Sequence, residues 1–85
     1  MKIQLRFFAS VREQLACSTE ALDVPHEVTS LAQLRAYLVQ RGDAWEHALG
    51  AHKALRMAQN QVMCHADTLL IDGAEVAFFP PVTGG

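Results

Sequence analysis

Ser30-Leu31-Ala32-Gln33-Leu34-Arg35-Ala36-Tyr37-Leu38-Val39-Gln40-Arg41-Gly42 is the longest helical stretch of this 85-residue chain, and it decides how the rest must be arranged. Leu31, Leu34 and Leu38 recur at helical spacing and give one apolar stripe. Ser30 and Gln33 stand three apart, as in a capping box, so the helix starts after Ser30. Gly42 occupies the C′ position in which glycine commonly ends a helix. A helix with one apolar stripe needs a surface to lie on, and the flanking segments supply strands to build it.

Toward the N-terminus, Thr19–Val24 reads as a strand with Leu22 and Val24 on one face, stopped by Pro25. Before it, Ser10 and Glu13 form a second capping box, predicting a short helix with Ser10 as N-cap that runs to about Leu15. At the start, Ile3, Leu5 and Phe7 alternate with Lys2, Gln4 and Arg6, the pattern of a half-buried strand.

Toward the C-terminus, Asp43 and Glu46 repeat the start signal, and Trp45 and Leu49 are four apart, so a shorter third helix follows. Leu55–Ala58 and Val62–Cys64 read as strands joined by a turn at Asn60-Gln61. Asp72-Gly73 is a turn, Glu75–Phe79 the last strand, and Pro80-Pro81 its end. Strands dispersed around one main helix predict an α+β fold: a mixed sheet, the main helix packed on one face, and extra short helices. The domain is expected over residues 1–79, with an extended, flexible tail over 80–85.

The balance of seven basic and nine acidic residues, net −2, is scattered along the chain. Without a basic cluster, nucleic acid is not expected as a partner. No segment has the length and hydropathy to span a membrane, and the alternating N-terminus is not a signal peptide. Cys17 and Cys64 are isolated cysteines outside any CxxC pair. They fit small buried hydrophobes in a reducing compartment, hence the cytoplasm, although their separation leaves a disulfide open.

Catalytic and metal motifs are missing from the sequence. His26, His47, His52 and His65 lack HExxH spacing or an acidic ligand cluster, so no metal site is expected. Asp43 and His47, at i and i+4, read as an ordinary surface pair. The five glycines form no phosphate loop, there is no GxSxG, and neither cysteine has a base at a readable spacing. No catalytic residue of the chain's own is expected.

The ending Phe78-Phe79-Pro80-Pro81-Val82-Thr83-Gly84-Gly85 is the feature that needs a chemical reading. Two prolines hold the backbone extended and remove two hydrogen-bond donors, so the tail is not expected to rejoin the sheet. From Pro80 to Gly85 it reaches about 20 Å, enough to enter a partner's active site. Gly84 and Gly85 lack Cβ atoms and can thread a narrow channel, leaving the terminal carbonyl unhindered.

The ending FFPPVTGG, preceded by Asp72-Gly73-Ala74-Glu75-Val76-Ala77, resembles the small, sulfur-carrier subunits of molybdopterin synthase. Leu5-Arg6-Phe7-Phe8-Ala9-Ser10-Val11-Arg12-Glu13 is similar to the first strand and helix of that family, and the resemblance covers the whole length. It implies a ubiquitin-like β-grasp fold. It also implies that an activating enzyme of the ubiquitin-activating type uses ATP to adenylate Gly85, and that a sulfur donor then converts it to a thiocarboxylate. The tail, Pro80, Pro81, Val82, Thr83 and Gly84, would carry Gly85 into the large catalytic subunit, where sulfur passes to cyclic pyranopterin monophosphate. The implied assembly is a heterotetramer with two small subunits flanking a large-subunit dimer. No cofactor is expected on this chain, since ATP is used by the activating partner.

Strand alternation places Phe8 opposite Ile3, Leu5 and Phe7, Met63 opposite Val62 and Cys64, and Phe79 opposite Val76 and Phe78. Phe8, Met63 and Phe79, with Arg12 at the rim, are therefore expected to form an apolar partner interface, Phe79 lying exposed at the root of the tail. Three other functions compete: a sulfur carrier for the thiazole of thiamine or for tRNA thiolation, a ubiquitin-like protein modifier joined through Gly85, and a non-covalent binding module.

Overall fold

The computed structural model describes residues 1–81. Eight elements follow one another: β1 (Lys2–Phe7), α1 (Ala9–Leu15), β2 (Thr19–Asp23), α2 (Leu31–Val39), α3 (Asp43–Leu49), β3 (Arg56–Gln59), β4 (Val62–Cys64) and β5 (Glu75–Phe79). The strands form one mixed sheet in the order β2-β1-β5-β3-β4. β1 and β5 run parallel and every other neighbouring pair antiparallel. The expected α+β architecture is present, and the last strand lies at the centre of the sheet.

One face of the sheet is buried. Ile3, Leu5 and Phe7 of β1, Val76 and Phe78 of β5, and Met57 of β3 form a core with Leu31, Leu34 and Leu38 of α2 and with Val11, Ala48 and Leu49 of the short helices. Phe7 stacks on Phe78 at 6.3 Å and meets Trp45 edge-on at 5.8 Å. Each fully buried Leu, Val or Phe side chain contributes about 1.5–3 kcal/mol by leaving water.

Local signals explain most boundaries. The Ser30–Gln33 capping box is made in both directions: Ser30 Oγ accepts from the Gln33 N–H, and Gln33 Oε1 accepts from the Ser30 N–H, each at 3.2 Å. Asn60 and Gln61 both take left-handed conformations, φ 51° and 67°. Such a turn matches the twist of a two-residue hairpin between β3 and β4.

Two helix boundaries differ from the sequence reading. The N-cap of α1 is Phe8, still extended at φ −130°, with no side-chain cap bond. Ser10 lies inside the helix because the chain turns straight out of β1, with Ala9 in a left-handed conformation at φ 54°. Gly42 does not close α2, whose C-cap is Gln40 in a right-handed conformation. It is instead the N-cap of α3, at φ 142°, and its carbonyl accepts from the Glu46 N–H. Only Gln40, Arg41 and Gly42 separate the two helices, so α2 stops on Gln40 and the glycine serves the start of α3. Asp43 and Glu46 then lie in the first turn of α3, where negative charge is favourable.

Arginines tie the layers together. Arg35 of α2 donates to the carbonyls of Leu49, Gly50 and Lys53, which satisfies the end of α3. Burial lowers the Arg35 pKa from its ordinary value. Arg41 makes a two-pronged pair with Glu20 of edge strand β2, at 2.6 and 2.8 Å, and stacks over Trp45 at 4.5 Å. Cys17 and Cys64 are free thiols at opposite edges of the sheet. Four strand spacings, on the order of 19 Å, separate those edges and rule out a disulfide. Among the described residues, no helix is long and apolar enough to cross a membrane.

Candidate functional site

The parallel pairing of β1 with β5 brings the C-terminal ends of these two strands to one side of the sheet. Phe7 lies opposite Phe78, so Phe8 and Phe79 leave their strands side by side. Phe8 meets Phe79 edge-on at 6.4 Å, and together with Ala9 and Pro80 they line a shallow, almost wholly apolar depression. This is the root of the C-terminal tail. Pro80 and Pro81 follow it without secondary structure, and Val82, Thr83, Gly84 and Gly85 lie outside the described residues.

The depression continues onto the outer face of the sheet. Strand register aligns Arg6, Ala77, Ala58 and Met63 across that face, with Phe79 beside Arg56. Two alanines form a low floor between larger side chains, and both are buried. The Arg6 guanidinium lies 5.3 Å from the Phe8 ring centroid and 3.5 Å from a Glu75 carboxylate oxygen. The surface is therefore apolar at its centre and bordered by arginine.

Of the residues singled out from the sequence, Phe8 and Phe79 are in contact. Phe8 is 38% exposed, whereas Phe79 is half-buried, because the Phe8 ring covers one side of it. Met63 is 56% exposed on the same sheet face, two strand spacings, about 10 Å, from β5. Arg12 is exposed one helical turn beyond Phe8, whose carbonyl accepts the Arg12 N–H at 3.4 Å. Arg6 and Arg56 also border this surface and were missed from sequence, while Pro80, expected in the threading tail, lines the depression as well. For Arg6 a signal existed, since it stands two residues before Phe8 and shares its face.

The histidines are dispersed. His26 approaches Glu27 at 3.6 Å on the surface, and His47 Nδ1 lies 3.0 Å from the backbone carbonyl of Asp43 and not from its carboxylate. Among the described residues, no three His, Cys, Asp or Glu side chains come close enough together to hold a metal ion.

The root of the tail thus joins a paired strand of the sheet to an exposed apolar surface. The profile of the ThiS family matches residues 5–85, which spans that surface and the whole tail. The chain belongs to the ThiS family. It is 43% identical to the molybdopterin synthase sulfur carrier subunit of Escherichia coli (strain K12), over 98% of this chain and 99% of that protein. Among solved structures it is similar to one described as the protein-protein complex of subunits 1 and 2 of the molybdopterin-converting factor of Helicobacter pylori 26695. That match has TM-score 0.68 and 28% identity and covers 100% of both chains. It is similar in fold to SAMP1 from Haloferax volcanii, with TM-score 0.77 and 22% identity over 100% of both chains. The fold is thus the ubiquitin-like β-grasp, and within the ThiS family the chain stands with the molybdopterin synthase small subunits.

Proposed function

We propose that this chain is the sulfur carrier of molybdopterin synthesis and works through the carboxylate of Gly85. The observation that carries this reading is the full-length 43% identity to a subunit of that name, together with a family match that runs through Gly85. In this reading an activating enzyme of the ubiquitin-activating type joins Gly85 to AMP, with ATP losing pyrophosphate. A sulfur donor then displaces AMP and leaves a C-terminal thiocarboxylate, which delivers sulfur to cyclic pyranopterin monophosphate inside the large synthase subunit.

In the same reading, the labour divides along the chain. Residues 1–79 are the docking domain and residues 80–85 the reaching tail. Phe8, Phe79 and Met63, bordered by Arg12, hold the large subunit, while Pro80 to Gly84 thread its active site. Catalytic groups belong to that subunit, which binds two copies of this chain as a heterotetramer in the cytoplasm. No cofactor is held here. ATP belongs to the activating partner.

Extending the chain by one residue after Gly85 tests the reading. Molybdopterin formation should vanish while binding to the large subunit persists. Retained synthesis by the extended chain would overturn the proposal. An isopeptide ladder on lysines of other proteins would instead favour a protein modifier, and a thiocarboxylate consumed only in thiazole or tRNA thiolation would change the client.

A further inference from the structure

A second exposed apolar group lies away from the tail root, on the segment between β4 and β5. Leu70 of this segment is buried, but Leu69 and Ile71 are 68% and 55% exposed. They are not loose. The buried Gln59 side chain donates to the Leu69 carbonyl at 3.0 Å and accepts from the Ile71 N–H at 2.9 Å. On the opposite edge, the Leu70 N–H donates to the Thr29 carbonyl and the Leu31 N–H to the Thr68 carbonyl. Bonded along both edges with Leu70 inward, the segment must project Leu69 and Ile71 together from one side. Val62, 65% exposed, lies directly opposite Gln59 in the hairpin and adds a third aliphatic side chain.

Acidic residues flank this segment in the chain, Asp67 before it and Asp72 after it, the Asp72 carboxylate accepting the Lys2 N–H at 2.8 Å, and no lysine or arginine occurs after Arg56. Glu75, the remaining acid of that stretch, is taken up by Arg6. The tail-root surface has the opposite border, with Arg6 and Arg56 on its sheet face and Arg12 beside Phe8.

We propose that Val62, Leu69 and Ile71 form a second docking surface, for a protein segment that carries aliphatic side chains flanked by lysine or arginine. Pre-ordered aliphatic side chains give up little entropy on binding, and acidic neighbours select a basic partner. Symmetric pairing with a second copy would set Asp67 and Asp72 against their own counterparts, which disfavours it. The two surfaces differ in border charge and position, so this inference does not depend on the sulfur chemistry of Gly85.

The test is methyl-resolved NMR of the full chain titrated with a synthetic heptapeptide of alternating lysine and leucine, beside its glutamate–leucine counterpart. The lysine peptide should shift the Val62, Leu69 and Ile71 methyl signals, and the glutamate peptide should not. Leu69→Ser should weaken the lysine peptide by about tenfold or more, and Asp67→Lys by roughly threefold, with spectra that remain folded. The proposal is overturned by equal response to both peptides, by shifts centred on Phe8 and Phe79, or by no shift. Concentration-dependent shifts of the same methyls without peptide would also overturn it, in favour of a second copy.

Discussion

Phe8 and Phe79 lie 71 residues apart in the chain and meet edge-to-face at 6.4 Å, so one aromatic contact joins the start of α1 to the root of the C-terminal tail. Its origin is the parallel register of β1 on β5, which sets Phe7 opposite Phe78 and leaves the next residue of each strand on the outer face. The inner aromatic pair holds the core, and the outer pair is available to a partner.

Phe79→Lys should therefore weaken binding to the large synthase subunit by roughly ten- to a hundredfold, as for an aromatic anchor. Because Phe79 is half-buried, a stability loss of about 1 kcal/mol should accompany it, without unfolding. Calorimetric binding and thermal melting of the same variant check both. Complete unfolding would place Phe79 in the core and remove the proposed interface.

Gln59 is the single buried polar side chain among the described residues and fastens the Leu69–Ile71 segment. Gln59→Ala leaves a buried carbonyl and N–H without partners, which costs about 1–3 kcal/mol. Denaturant unfolding should show that loss, and the Ile71 amide should exchange with solvent much faster. Unchanged exchange at Ile71 would contradict the role given to Gln59.

Much of this architecture was legible in the sequence because its determinants are local. The alternation of Ile3, Leu5 and Phe7, the Ser30–Gln33 box and the Asn60-Gln61 turn each act within a few residues. Ser10 and Gly42 misled for a common reason: tertiary context set the boundaries. Phe8 takes the cap position of α1 at the end of β1, and α3 uses Gly42 for its own start. Of the candidate site, the outward direction of Phe8, Met63 and Phe79 was readable from strand period. The Phe8–Phe79 contact and the nearness of Arg6 and Arg56 were not, because they depend on which strands are neighbours.

α1 ends on Ala16 in a left-handed conformation, φ 52°, where glycine is the usual residue. Ala16→Gly should relieve about 1 kcal/mol of backbone strain, part of it offset by the greater freedom of the unfolded chain. The melting temperature should rise slightly, and a fall would show that Ala16 is unstrained.

The Arg41 hydrogen bonds hold the Glu20 pKa below its ordinary value. The unfolded chain protonates Glu20 first as pH falls, so the pair's stabilisation is full above the ordinary glutamate value, about 4.3, and is lost as pH drops through the lower folded value. Glu20→Gln should destabilise the protein at pH 7 by about 1 kcal/mol or less, the scale of a partly exposed pair, and the gap should close in acid. Stability curves of both proteins from neutral to acid pH would show the convergence. Parallel curves would contradict it.

Sulfur transfer through Gly85 is read out by intact-protein mass spectrometry. The chain is incubated with ATP, a competent activating enzyme and a sulfur source, and the modified mass is localised by fragmentation. One carboxylate oxygen of Gly85 should be replaced by sulfur, in a reaction that requires ATP. An unmodified Gly85, beside a related carrier converted by the same enzyme, would contradict it.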